Sequence, residues 1–413
     1  MMKKDVTTKG ILRGLGRNVI LLGIVSFLAD VSSEMINPLI PIYLTTAILA
    51  SPEIIGLVSG VSDGTGNLVK VFVGWYSDRI RKRKVFVAIG YAPTAIVKPI
   101  IAFITSWPQL LALRMIDRGG KGIRTAPRDA LLVDSVTVER RGAAFGLHRG
   151  MDSAGAIVGT AISIILLLFF LSGSVNDNMR MIFILSSIPA FLSVLVVILF
   201  VREKEPQVQQ AGKSKKFIAS LREADPRLKR FLLIVALIGF ANVGYTFLVL
   251  RAYDLGAGLM DTLFVYLAMN LTYTVFSFPA GIMSDRVGRK KMIGLGLIVF
   301  IIGALVMAVA GDLLVLLAGF LIYGAFLAIM DVNQSTFASM LSKHSDRGTI
   351  MGAYHTVNGI VALPAGFIFG LIWSMFGASG PTAAFGYVSI LAAISFVLLV
   401  IFIAEPNDQD ERA

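Results

Sequence analysis

Apolar runs of membrane-spanning length dominate this chain and decide most of what it can fold into. Segments 183–201, 231–250, 292–310 and 382–404 are clear cases, and each reaches the ~18 nearly uncharged residues that a helix needs to cross a bilayer core. Only 15% of the 413 residues are charged and 56% are hydrophobic, whereas a soluble domain clothes itself with about 25% charged residues. Strand-length alternation is absent, which argues against an outer-membrane barrel. The apolar stretch 20–28 runs into Asp30 and Glu34 without a small-residue cleavage site, so it reads as a retained first helix. There is no cysteine, which excludes disulfides, thiolate metal sites and cysteine nucleophiles.

The hydropathy pattern predicts twelve helices, over 18–45, 53–77, 84–105, 108–136, 142–171, 179–201, 229–250, 259–284, 290–310, 313–341, 347–375 and 381–404. An even number puts both termini on one side. The net charge of +12 follows from topology rather than from a nucleic-acid patch: about 28 of the 38 basic residues fall on one face and about two, Arg180 and Arg251, on the other. The positive-inside rule makes the rich side cytoplasmic, in the plasma membrane. Four units are expected: a six-helix bundle over 1–201, a linker over 202–228, a second bundle over 229–404 and a tail over 405–413. Within the linker, Phe217, Ile218, Leu221 and Leu228 among charged residues suggest a helix lying on the inner membrane surface.

The sequence repeats itself. Gly74-Trp-Tyr-Ser-Asp78-Arg79-Ile-Arg-Lys-Arg-Lys84 returns 207 positions later as Gly281-Ile-Met-Ser-Asp285-Arg286-Val-Gly-Arg-Lys-Lys291. Arg141-Gly142-Ala-Ala-Phe-Gly146 returns 206 positions later as Arg347-Gly348-Thr-Ile-Met-Gly352. Matched loops imply a pseudo-two-fold axis along the membrane normal. These turns resemble the signature between the second and third helices of the major facilitator superfamily. The second copy fits it fully; the first departs at Arg81 and Lys82. The resemblance covers essentially the whole chain and implies an all-α membrane fold of twelve helices in two pseudo-symmetric six-helix bundles. It further implies that Gly74, Asp78, Arg79 and Arg83, with Gly281, Asp285, Arg286 and Arg289, form a latch that holds the cytoplasmic side shut. A carboxylate there can face the positive end of a neighbouring helix, at ~0.3–1 kcal/mol when exposed.

Inside the spans, eight basic residues remain: Lys70, Lys98, Arg114, Arg118, Lys121, Arg124, Arg128 and Arg149, all in the N-terminal half. Each would cost about 2.5–3.5 kcal/mol at a helix centre unless it faces a cavity or a partner. The fourth span carries five of them at intervals of three or four, which predicts one basic face. Asp117, Asp129 and Asp134 interleave, Asp30, Glu34 and Asn37 share a face of the first span, and His148 and Asp152 lie in the fifth. In the superfamily the first and fourth helices line the central cavity, which would set Asp30 and Glu34 opposite the cations. Three readings stay open: structural pairing, which often returns no more than it costs; proton coupling by a carboxylate with a breakable partner; and binding of an anionic group. The proton-coupling candidates are Asp30, Glu34, Asp117, Asp152 and Asp331. The substrate-cavity candidates are Asn37, Arg114, Arg118, Lys121, Arg124, Arg128, His148 and Arg149, with Asn242, Tyr245, Asn333, His355 and Asn358 from the milder C-terminal half.

Other motifs dissolve on inspection. Gly60-Val-Ser62-Asp-Gly64 has the nucleophile-elbow pattern but lies inside a helical span rather than at a strand-to-helix turn. Gly212-Lys213-Ser214 lacks the upstream glycine of a phosphate loop. Gly155 to Thr160 occupies the place of a Gly-Pro motif found in antiporters of the superfamily, without the proline. No catalytic constellation, metal-ligand spacing, cofactor or ATP site is expected, and the chain reads as a monomer. The function expected is secondary active transport of a small organic solute, anionic and amphipathic solutes both fitting, by alternating access and with proton coupling. Multidrug or metabolite efflux and lipid or amphiphile flipping on the same fold are the alternatives; a channel and a membrane enzyme fit less well.

Overall fold

The computed structural model describes residues 16–80, 82–137, 140–170, 172–203, 225–242, 244–341 and 347–403, apart from the side chains of Trp75, Asp78, Arg79 and Arg347. Fourteen α-helices among them build twelve spans, and these residues contain no strand. The first span is α1 (Arg17–Ile36) with α2 (Leu39–Thr46). There follow α3 (Pro52–Ile80), α4 (Arg83–Ile101), α5 (Trp107–Asp134), α6 (Arg141–Phe169) and α7 (Val175–Phe200). The second half opens with α8 (Pro226–Ala241) and α9 (Tyr245–Asp254), then α10 (Leu259–Val287), α11 (Arg289–Val309), α12 (Leu313–Met340), α13 (Arg347–Met375) and α14 (Gly380–Phe402). The surface helix expected in the linker falls mostly on 204–224, outside the described residues.

Two expected helices are each broken in two. Pro38 has no N–H to return to the preceding turn, so α1 stops at Ile36 and the chain restarts at Leu39. In the seventh span Gly244 adopts φ +73°, a left-handed conformation open to glycine at little cost, between Ala241 and Tyr245. Asn37 and Asn242 stand at the two breaks, 205 positions apart, so the duplication extends to the interruptions themselves. The turn joining α10 to α11 explains one motif glycine: Gly288 has φ +99° and caps both helices.

Packing repeats the same scheme in each half. The first span packs on the fifth (α1 on α6, α8 on α13) and on the sixth (α1 on α7, α8 on α14). The second packs on the fourth (α3 on α5, α10 on α12). The third packs on the fourth and sixth (α4 on α5 and α7, α11 on α12 and α14). Ten spans are long and apolar enough to cross a membrane by composition; α3 and α5 fall short. Helix α5 carries five basic and three acidic residues, and its place between α3 and α4 shields them. Glycines permit that approach: a Cβ at Gly122 would lie 2.6 Å from the Gly66 carbonyl of α3, and one at Gly120 would lie 2.7 Å from the Gly90 carbonyl of α4.

The bundles meet mainly along α3 and α13, with α6 on α10 and α9 against α2 and α3. A Cβ at Gly56 would sit 1.9 Å from the Gly366 carbonyl oxygen, and one at Gly60 would sit 2.2 Å from that of Ala362. Phe247 packs beside this seam against Phe369, with ring centroids 4.3 Å apart. The seam belongs to the face where α2 ends and α3 begins, here called the sealed face. On the other face, which carries Lys84, Arg140, Arg141 and Lys290, added Cβ atoms at Gly142, Gly146, Gly150 and Gly281 would meet nothing within 4 Å. Lys121, Arg149 and Asp331 are also exposed within their spans, so the space between the bundles is a cleft closed along the seam and open towards the basic face.

Candidate functional site

Four hydrogen bonds between described residues cross from one bundle to the other. Ser374 donates to Glu53 at the rim of the sealed face, Ser59 and Thr246 share a bond of 2.9 Å, and Tyr266 Oη donates to Glu34 Oε2 at 2.6 Å. The fourth lies deeper, between Lys70 Nζ and His355 Nε2 at 3.1 Å. Glu34 also accepts from Asn37 Nδ2 at 2.9 Å, and Asn37 Oδ1 accepts from Arg114 Nη1 at 3.4 Å. A carboxylate near the sealed face is thus joined to α10 on one side and, through the broken first span, to α5 on the other. The twin position is milder: Asn242 Oδ1 accepts from Tyr323 of α12 at 2.7 Å.

The basic residues of α5 do not form one cavity-facing stripe. Spacing by threes and fours spreads them over a wide arc, and the neighbours divide that arc. Arg114 is buried with Asp117 at 3.3 Å. Arg118 reaches Asp63 of α3 at 3.4 Å. Lys121 is exposed to the cleft. Arg124 turns the opposite way, into α4, where it donates to the Gly90 carbonyl and Thr94 Oγ1 at 3.3 and 3.1 Å and lies 4.1 Å above the Tyr91 ring. Arg128 holds Asp129 through Nε and Nη2 and reaches Ser26 of α1 at 3.0 Å.

The candidate acids also separate. Asp30 lies half-buried on α1, in electrostatic reach of Lys121, Asp152 and Arg124. Asp152 sits beside His148 Nδ1 at 3.4 Å, with His148 buried inside the N-terminal bundle rather than in the cleft. Asp117 is buried beside Arg114. Lys98, fully buried, donates to Ser32 and Ser33 of α1 at 2.5 and 3.2 Å. It was legible as a basic residue within a span, but nothing in the sequence placed it between α4 and α1. In the second bundle Asp331 is exposed and accepts from Tyr273 at 3.1 Å.

Arg149 of α6 is exposed and lies in electrostatic reach of Tyr273 and Asp331 across the cleft. His355 stands 206 positions after Arg149, at the matching place on α13, and reaches Lys70 of α3. Each fifth span therefore sends a nitrogen base towards the opposite bundle. Tyr245 rests edge-on against Tyr266, centroids 5.3 Å apart. Two expected cavity residues stay inside the C-terminal bundle. Asn333 is fully buried and donates to the Ile329 carbonyl of its own helix at 2.6 Å. Asn358 donates to the Tyr354 carbonyl at 3.0 Å, another bond within one helix.

Of the latch residues, Asp78 and Arg79 have side chains outside the described residues. Asp285 is exposed and pairs with Arg289 one turn on, at 3.1 Å, and Arg83 pairs with Asp134 of its own bundle. A Cβ added at Gly74 would meet Ala126 of α5 at van der Waals distance, while one at Gly281 would meet open space, and Arg286 is exposed. The ion pairs formed by the described latch side chains stay within their own bundles, as an open basic face requires.

Comparison with known proteins gives a consistent result. The sequence model of the Major Facilitator Superfamily matches residues 22–271 and 231–413. An uncharacterized MFS-type transporter of Methanocaldococcus jannaschii is 36% identical over 396 residues, covering 94% of this chain and 95% of that one. Among solved structures, a POT family transporter in complex with a thioalcohol-conjugated peptide superposes with a TM-score of 0.78 at 13% identity, over 95% of this chain and 99% of the other. A D-xylose–proton symporter superposes with a TM-score of 0.74 at 14% identity, over 94% and 97%.

Proposed function

The chain belongs to the major facilitator superfamily, and from that premise we propose that it is a proton-coupled secondary transporter that moves a small organic solute by alternating access. The basic face is cytoplasmic by the positive-inside rule, so the state described is inward-facing, its outer end closed by the α3–α13 seam. In the opposite state the bundles rock apart along that seam and the duplicated Asp-Arg turns meet at the cytoplasmic face.

The observation that carries the coupling is the bond from Tyr266 to Glu34 across the bundles. Ionised Glu34 is a strong acceptor, and hydrogen bonds to charged groups contribute ~1.5–3 kcal/mol. A proton on Glu34 removes that charge, weakens the tie to α10 and releases the outer closure. Asp30, one helical turn earlier on α1 and within reach of Lys121, is the second proton-bearing group. Together they connect proton uptake to the contact that must break.

The test uses purified protein in liposomes that enclose a pH-sensitive dye, with candidate organic solutes added outside. Wild-type protein moves protons together with solute. Glu34→Gln and Asp30→Asn exchange solute without moving protons. Undiminished proton movement in both variants removes the coupling.

A further inference from the structure

Among the described residues, the cleft holds three cations that no carboxylate touches. Of the eight basic residues within the N-terminal spans, Arg114, Arg118 and Arg128 are ion-paired. Lys98 and Arg124 are satisfied where α4 packs on its neighbours. Lys70, Lys121 and Arg149 remain, one each from α3, α5 and α6. Lys121 and Arg149 are exposed and Lys70 is half-buried. Lys70 is within electrostatic reach of Lys121, Arg149 and Arg128, which repel it, and of Asp129, which attracts it.

Like charges gathered within the thickness of a membrane are unfavourable, and such groupings face a partner or a water-filled path. The neighbouring acids act on them only from a distance, Asp129 on Lys70, Asp30 on Lys121 and Asp331 on Arg149, and none makes an ion pair with them among the described residues. Asp129 is held by Arg128 through two nitrogens. Asp331 is bound by Tyr273 on the far wall. Asp30 is half-buried on α1, making no ion pair among the described residues. The close approach of α5 to α3 at Gly122 and Gly66, next to Lys70 and Lys121, fixes two of the three cations on adjoining backbones.

We propose that Lys70, Lys121 and Arg149 bind the acidic group of the transported solute, and that this solute is a small organic anion bearing a carboxylate or a phosphate. The anion supplies a counter-charge in direct contact, and the open mouth at the basic face admits it. The assignment rests on the transport reading above and names the substrate class of the same cleft. His355, in contact with Lys70 from the opposite bundle, lets the bound anion be sensed by both halves.

The experiment is equilibrium binding to the full chain in detergent, where no gradient or flux is required. The panel contains monocarboxylates, dicarboxylates, inorganic phosphate and sugar phosphates, each beside a neutral analogue such as the parent sugar. At least one anion is expected to bind saturably while its neutral analogue does not, and the better arm separates carboxylate from phosphate. Lys121→Gln combined with Arg149→Gln should weaken that binding at least tenfold, whereas Lys291→Gln, on the exposed basic surface, should leave it unchanged. Should the double variant not fold, the wild type decides: binding across an aqueous cleft must weaken as salt rises. Absence of saturable anion binding, salt-independent binding, or unchanged affinity in the double variant overturns the proposal. Anion binding without proton movement in liposomes would instead remove the coupling and leave the substrate class standing.

Discussion

Tyr266 and Glu34 meet 2.6 Å apart, the hydroxyl of one bundle donating to the carboxylate of the other. Removing the hydroxyl leaves the carboxylate with Asn37 alone. A hydrogen bond to a charged acceptor contributes ~1.5–3 kcal/mol, and every 1.4 kcal/mol is about tenfold in an equilibrium. Tyr266→Phe should therefore raise the population open at the sealed face by about tenfold or more. The native chain has no cysteine, so Ser59→Cys serves as a clean reporter beside the seal. Its labelling by an impermeant maleimide should accelerate by that factor in the Tyr266→Phe background; an unchanged rate would show that the bond does not hold the closure.

Ser59 and Thr246 place their hydroxyl oxygens 2.9 Å apart across the same seal. Side chains already in hydrogen-bond contact are suited to a disulfide, which joins Cβ atoms about 3.5–4.5 Å apart. The oxidised Ser59→Cys, Thr246→Cys protein should form the cross-link and lose solute exchange, and reduction should restore it. Full exchange by a demonstrably cross-linked protein would mean that the bundles need not separate there.

How much of this was legible in the sequence follows from what each signal measures. Hydropathy and the duplicated turns located the spans, because ten strongly apolar stretches, two charge-bearing helical ones and two matched Asp-Arg motifs leave little room for another fold. They did not show that the first and seventh spans break at Asn37 and Asn242, since a proline or glycine in a membrane helix is often tolerated unbroken. Charge spacing on α5 gave the right helix and the wrong direction for Arg124, because an arc of over 100° touches several neighbours and only packing tells which. Tyr266 was missed outright: a tyrosine in an apolar span carries no mark of a partner that arrives from another bundle.

The seam and the open mouth make opposite demands on glycine. Gly366 lies where an added Cβ would sit 2.2 Å from the Gly56 carbonyl oxygen, a backbone atom that cannot swing aside. Overpacking a tight contact costs about 1–3 kcal/mol, so Gly366→Val should lower the melting temperature and open the sealed face. Gly281 has open space in this state, so Gly281→Leu should leave the melting temperature nearly unchanged. It should nevertheless slow transport, because on the proposed alternating access the basic face closes and brings that position against the other bundle. Equal melting behaviour in the two variants would contradict the seam.

Arg124 and Lys121 stand three residues apart on α5 and should fail in different ways. Arg124 is buried against α4, with a carbonyl, a hydroxyl and the Tyr91 ring as its partners. A shorter side chain there leaves polar groups buried and unsatisfied at about 1–3 kcal/mol, so Arg124→Gln should reduce thermal stability while leaving the affinity of the folded fraction for its anion intact. Lys121 is exposed to the cleft, and losing its charge removes no packing. Lys121→Gln should keep the melting temperature within a degree or two, since ±0.5 kcal/mol is typical of exposed positions, and should weaken anion binding severalfold. Melting curves and binding isotherms on the same two preparations decide the matter. If Arg124→Gln loses affinity at unchanged stability, the cation that turns towards α4 in this state must swing into the cleft when solute binds.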